Sequence, residues 1–238
     1  MKQTISGTSE LEGSGVSPLN TNWEKKLIVF DLYGTCMSCD GNIHPFRNLL
    51  KRMGITDRQD SFDYIIKSLE ENISAEDFIK YVAQHSSLSF SDQQFAEFLA
   101  TFTQDLQRSV DSTKLFDDTL HTISELKKRG YATALLSNLA LPYVEPAKER
   151  LGGFFDYQIF SCLEGMRKPE RPIFDKVLKE SGKGKGDAVM IGNSATDQKG
   201  ALAAGMNFVR INRYIPGIKV REHHVSIGCL TDLLELFK

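Results

Sequence analysis

From residue 42 to about 113 the apolar positions recur at helical intervals, and no run of strand character interrupts them. Phe95, Phe98, Leu99, Phe102 and Leu106 stand at i, i+3, i+4, i+7 and i+11, which is one face of a helix. Ser91 with Gln94 makes a capping box at its start, and Ser74 with Asp77 offers a similar start to the helix before it. Phe62, Ile65, Ile66, Leu69 and Ile73 predict a further apolar stripe. Beyond about residue 115 the pattern changes. "TLHTISELKKRG" reads as a helix with basic residues in its last turn and Gly130 as its stop. Four short apolar runs follow: "YATALLSN", "DYQIFSC", "DAVMIGN" and "NFVRIN". They are too short for independent helices, and their continuity suits strands covered on both faces. Helical segments at about 143–151, 170–181 and 196–205 separate them.

Strand and helix in alternation imply parallel pairing with right-handed crossovers. The run at 26–30 belongs with this half, so the helical stretch interrupts the alternation after the first strand. The expected fold is α/β: a doubly wound, mainly parallel sheet with an inserted helical cap. Its parts are a flexible tail over 1–22, a core over 23–41 and 114–238, and the cap over 42–113.

Composition narrows the class. At 238 residues with 41% hydrophobic and 25% charged positions, the chain has the make-up of an ordinary globular protein. A net charge of −2 provides no basic field for nucleic acid or a membrane surface. No run of about 18 apolar residues occurs, so no transmembrane helix is expected. The tail is rich in Ser, Thr and Gly and lacks the apolar core of a signal peptide. Four unevenly spaced cysteines suggest a reducing compartment, and a cytoplasmic location is expected.

In an open parallel sheet, ligands sit beyond the carboxyl ends of the strands. Here those ends carry Asp31 after "LIVF", Ser137 and Asn138 after "ATALL", and Asn193, Ser194 and Asp197 after "AVMIG". Lys168 lies in "GMRKPE", shortly after the third strand. Singly, each is an ordinary cap or surface residue. Together they make a chemical set. A carboxylate attacks, a hydroxyl and backbone N–H groups bind the transferred group, and a lysine neutralises developing negative charge. The second acid either anchors the lysine or binds a metal.

"FDLYGT", "LLSN", "GMRKPE" and "IGNSATDQKGALAAGM" resemble, in order and spacing, the four motifs of the haloacid dehalogenase (HAD) superfamily. The resemblance covers about residues 26 to 212, with the insertion where that family places its helical cap. It implies a hydrolase acting on a small anionic substrate through a covalent intermediate on Asp31. Lys168, Ser137, Asn138 and Thr35 would hold the transferred group. The implied Mg²⁺ ligands are Asp31, the Tyr33 carbonyl oxygen, Asn193 and Asp197.

Two positions depart from the phosphatase pattern. Phosphatases of this superfamily carry a general acid where Tyr33 stands, and a phenol with a pKa near 10 substitutes poorly at neutral pH. They carry an acid at the position of Asn193, whose amide brings no charge to a hard cation. "DxYGT" is the form of the 2-haloacid dehalogenases, which use no metal and need no proton for the leaving group, because halide leaves as an anion. The resemblance to them is incomplete. Phe174 stands where they have tyrosine, Gly192 and Ser194 where they have serine and asparagine, and Arg58 is only a loose counterpart of their halide-binding arginine. Three functions follow: a phosphatase-like hydrolase with a weakened general acid, a metal-independent dehalogenase, or a degenerate scaffold with a binding or regulatory role.

Other features have ordinary readings. Cys36 and Cys39, with His44 near, are read as small hydrophobes rather than a redox or zinc site. "SGKGKGD" lacks phosphate-loop spacing and reads as a solvated loop. His223 and His224 are expected in a polar connection.

Overall fold

The structure, a computed structural model, describes residues 26–221 and 224–238. The expected tail and His223 lie outside the described residues. The described residues open with β1 (Leu27–Phe30) and the two-residue β2 (Met37–Ser38). Four helices follow without an intervening strand: α1 (Pro45–Arg52), α2 (Arg58–Glu70), α3 (Ala75–His85) and α4 (Asp92–Asp111). Then come β3 (Lys114–Leu115), α5 (Thr119–Lys128), β4 (Ala132–Ser137), α6 (Val144–Leu151), β5 (Tyr157–Phe160), α7 (Ser161–Glu164) and α8 (Arg171–Ser181). The chain closes with β6 (Ala188–Gly192), α9 (Ala195–Ala203), β7 (Asn207–Ile211), β8 (Lys219–Arg221), β9 (His224–Ile227) and α10 (Leu233–Leu236).

The main sheet runs β5-β4-β1-β6-β7-β9-β8, parallel throughout except for β8 at its edge. Alternation along β1 explains its unbroken apolar run. Ile28 and Phe30 face one core layer with Leu135 and Ile191, while Leu27 and Val29 face the other with Leu136 and Met190. Every β1 residue is 0% exposed, so no position can be polar until the strand ends at Asp31. A third apolar cluster, built on Leu49, Leu50, Phe78, Ile79, Val82 and Phe102, belongs to the cap. The capping box at Ser91 forms both of its bonds, and Ser74 Oγ accepts from Asp77 N–H.

Three expectations need correction. The stripe on α2 is not a buried face: Phe62 is 53% exposed, Ile65, Ile66 and Leu69 are half-buried, and Ser68 is the helix's one fully buried residue. This helix lies along the seam where cap meets core, against α7. His224 begins β9 rather than a polar connection, because the chain adds two more strands beyond "NFVRIN". The cap is also joined to the core through an unexpected antiparallel ribbon, with Met37 opposite Leu115 and Ser38 opposite Lys114. Among the described residues, no helix is long and apolar enough to cross a membrane.

Candidate active site

The peptide N–H of Asp31 donates to Ile191 O at 2.9 Å and so continues the sheet one residue past β1. The chain then coils tightly. The N–H groups of Thr35, Cys36 and Met37 all converge on Leu32 O, and Gly34 N donates to Met37 O at 2.7 Å. Gly34 takes a φ of +81°, which favours glycine, and a Cβ there would meet Asn193 Nδ2 at 2.1 Å. The coil brings Thr35 Oγ1 to 3.5 Å from Asp31 Oδ2.

Lys168 reaches the same point from the loop after α7. Its Nζ donates to Asp31 Oδ1 at 2.6 Å, Asp197 Oδ1 at 2.7 Å and Leu136 O at 2.9 Å, so all three of its protons are placed. The lysine is 2% exposed, Asp31 8% and Asp197 0%. Asn138 clamps the backbone that carries the lysine, donating to Lys168 O at 2.8 Å and accepting from Lys168 N–H at 2.7 Å. Ser137 ends β4 beside it, and its hydroxyl forms no hydrogen bond among the described residues. Asp197 sits in the first turn of α9. Its Oδ2 accepts from Ser194 N–H at 3.0 Å and Ser194 Oγ at 2.5 Å, while its own N–H donates to Ser194 Oγ. Gly192 leaves it room, since a Cβ there would fall 2.5 Å from Asp197 Oδ2.

Two carboxylates thus share one buried ammonium. Burial raises Asp31 to about 6, Lys168 draws it down, and Asp197 pushes it up. Burial also works against charge on Lys168, but the two acids outweigh it and hold the lysine above its ordinary value. The result is a lysine held in its charged form against Asp31 Oδ1, with Asp31 Oδ2 facing the Thr35 hydroxyl.

A model of the haloacid dehalogenase-like hydrolases matches residues 25–205. The chain belongs to that family. A stretch of 127 residues is 34% identical to the glyceraldehyde 3-phosphate phosphatase of Methanothermobacter thermautotrophicus, covering 51% of this chain and 56% of that protein. Over 159 residues it is 27% identical to the phosphoglycolate phosphatase of Pseudomonas savastanoi pv. phaseolicola, covering 65% and 58%. The chain therefore spans less than two thirds of these curated relatives. Among solved structures, the 2-haloacid dehalogenase of Pseudomonas syringae pv. Tomato superposes with a TM-score of 0.64 at 17% identity, over 89% of this chain and 97% of that one. A HAD family enzyme of Bacteroides thetaiotaomicron, in complex with magnesium and inorganic phosphate, gives 0.59 at 17% identity, over 79% and 94%. At such identities these two likenesses establish the fold alone.

The donors this HAD-like hydrolase offers fit a divalent cation poorly. Both Asp197 oxygens are engaged by Lys168 and Ser194, and Asp31 Oδ1 is held by the lysine. That leaves Asp31 Oδ2, the Tyr33 carbonyl and the neutral amide of exposed Asn193, with a single shared charge among them. Among the described residues, no three His, Cys, Asp or Glu side chains are grouped to hold a metal.

The remaining positions fall outside this cluster. The Tyr33 ring packs edge-on against Tyr143, with centroids 6.4 Å apart. Burial, with Tyr143 and Cys39, pushes its phenol far above the ordinary value. Cys36 is buried and its thiol likewise raised, His44 and Cys39 are exposed, and Arg58 is exposed at the start of α2. Phe174 is buried in the core layer beneath α9, where a Cβ on Gly200 would touch its ring at 2.1 Å. Cavities of about 210 Å³ beside Arg210 and about 590 Å³ beside Met166 are lined by none of the clustered residues. Chemistry, not cavity size, marks this site.

Sequence reasoning missed two supports. Arg167, beside the lysine, donates to Glu70 of the cap at 2.6 Å. Arg213 pairs with Asp118 at 2.9 Å, stacks on Phe116 at 3.7 Å and donates to Thr35 O, so it holds the coil after Asp31 from below. The first was within reach, because Arg167 lies inside the third motif. The second had no signal, since Arg213 and Asp118 are 95 residues apart.

Proposed function

We propose that this HAD-like hydrolase is a phosphatase of small anionic phosphates that works through an aspartyl phosphate on Asp31. The observation that carries the reading is the position of Lys168 Nζ, buried between Asp31 and Asp197 at 2.6 and 2.7 Å. In the first step Asp31 Oδ2 attacks phosphorus and the bond to the leaving oxygen breaks. Lys168 neutralises the charge brought together there, and the Thr35 and Ser137 hydroxyls donate to the phosphoryl oxygens. Asn138 acts through Lys168, as a positioning residue. In the second step water attacks phosphorus and Asp31 is released. None of these steps is routed through a metal ion. The activities of the two relatives, both on phosphate monoesters of small acids or aldehydes, support the substrate class.

The reading is tested on the full chain with p-nitrophenyl phosphate, acetyl phosphate and 2-chloropropionate, each with Mg²⁺ and with EDTA. Phosphate release by the wild type and none by Asp31→Asn is the expected result, with mass spectrometry to exclude deamidation. Chloride release without phosphate release would replace the reading by the dehalogenase one that "DxYGT" favours.

A further inference from the structure

We propose that the preferred substrates are acyl phosphates, and that Asp31 remains phosphorylated after the acyl carboxylate has left. The inference rests on the phosphatase reading and follows from where protons can and cannot move around Asp31. Hydrolysis of an alkyl phosphate asks for two transfers. The leaving alkoxide needs a proton in the first step, and the attacking water must lose one in the second.

The residues around Asp31 supply neither from the positions observed. Lys168 donates all three of its protons to Asp31, Asp197 and Leu136 O. Asp197 has both oxygens engaged and is fully buried. Asp118 is paired with Arg213 and also accepts from Leu230 N–H at 2.6 Å. Thr35, Ser137 and Asn193 have no titratable group, and Cys36 is sealed in the core layer. On the cap, Asp105 is tied to Asn48 and Arg52, and Glu70 to Arg167. Tyr33 stands two residues beyond the nucleophile, but its ring packs edge-on against Tyr143, and it carries a phenol, about six pK units weaker as an acid than a carboxyl. It cannot take a proton from water.

An acyl phosphate avoids the first difficulty. Asp31 Oδ2 bonds to phosphorus, the bond from phosphorus to the acyl oxygen breaks, and its electron pair leaves on a carboxylate that is stable unprotonated. No proton moves. The new bond at Asp31 is of the same mixed-anhydride kind as the one broken, so transfer is nearly balanced in free energy. Release then requires water to attack phosphorus, the electron pair to return to Asp31, and the water's proton to pass to bulk solvent without help. General acid–base assistance of this sort is worth about 10²–10⁴-fold, so its lack slows the second step selectively.

The experiment mixes the full chain with acetyl phosphate, in Mg²⁺ and in EDTA, and follows acetate, phosphate and intact protein mass separately. The expected result is a burst of acetate equal to the enzyme present, slow phosphate release, and a mass gain of one phosphoryl group mapping to Asp31. Asp31→Asn should show neither burst nor adduct. Phosphoglycolate and glyceraldehyde 3-phosphate should phosphorylate Asp31 at least about 10²-fold more slowly than acetyl phosphate, read as the rate of mass gain. Acetate and phosphate released together, or alkyl phosphates that phosphorylate Asp31 as fast as acetyl phosphate does, would overturn this inference and leave the phosphatase reading standing. No phosphate and no adduct from any compound would overturn both.

Discussion

The two acids and one lysine at the strand ends carry a net charge of −1 in a nearly dry place, and single substitutions there separate activity from stability. Asp31 is held at about 6 against an ordinary 3.8, so the folded chain keeps its proton better than the unfolded chain does. Stability is therefore greatest below the ordinary value, falls as pH rises between the two, and stays reduced above 6. Asp31→Asn removes that penalty while its amide oxygen can still accept from Lys168. We expect it to unfold about 1–3 kcal/mol less readily than wild type at pH near 8, with the gap closing near pH 4, while all turnover is lost. Equal pH profiles in denaturant melts would count against the charge argument. Lys168→Ala does the opposite. It leaves two buried like charges facing each other, at a cost of about 3–5 kcal/mol, and should lower the rate at least about 10²-fold. Tyr33→Asp with Asn193→Asp restores both carboxylates that phosphatases of the family carry. Mg²⁺-dependent hydrolysis of alkyl phosphates should then appear, with a smaller gain on acetyl phosphate. A folded double variant without that gain would show that Tyr33 serves other chemistry.

Among the elements, α9 bears most directly on the site, because its N-cap also fixes the carboxylate that orients Lys168. Ser194→Ala removes the hydroxyl that both caps the helix and binds Asp197 Oδ2. A loss of about 1–2 kcal/mol is expected from the cap, with a fall in activity that Ser194→Thr restores. Unchanged activity in the alanine variant would mean that Lys168 and the backbone N–H of residue 194 suffice to position Asp197. The helix was legible at about 196–205 as the spacer between two apolar runs, just as β1, β4 and β6 were legible because both faces of each are buried, but its capping box at Ser194 went unread. The same logic hid β8. It is an edge strand, Val220 is 69% exposed, and its neighbours Lys219 and Arg221 break any apolar run. The β2–β3 ribbon has two residues per strand, too few for periodicity to register. On α2 the pattern was correctly apolar but the burial was not, because its face meets a seam rather than a core. Asp31, Lys168 and Asp197 were legible as a set from their places at or just beyond the strand ends, and the order of their motifs made the set specific. Which Asp197 oxygen meets Lys168 and which meets Ser194 depends on folding contacts that no local pattern encodes.

Across the whole molecule, cap and core are joined in two unlike ways. At the ribbon the joint is firm: Thr119 Oγ1 and Phe116 N–H both donate to Cys36 O, at 2.7 and 3.1 Å, and Arg213 ties Thr35 O to Asp118. Close by, Arg150 donates to Val110 O and Thr113 O, and Tyr143 to Ser109. Along the α2 seam a polar tie runs from Arg167 to Glu70, with side chains 24% and 33% exposed. A cap that opens by turning about the ribbon must break that pair, which lies one residue from Lys168. A partly exposed ion pair contributes at most about 1 kcal/mol, so its loss can raise the open fraction about fivefold without unfolding anything. Glu70→Ala and Arg167→Ala should each keep the melting temperature within a few degrees of wild type and raise the KM for acetyl phosphate by about two- to fivefold. High ionic strength should raise the wild-type KM similarly and leave both variants nearly unchanged, because screening acts on the pair they lack. The double variant should match either single one. Effects of the two substitutions that simply add would show that Arg167 and Glu70 act on the site separately, and that the seam is held by the half-buried Ile65, Ile66 and Leu69 instead.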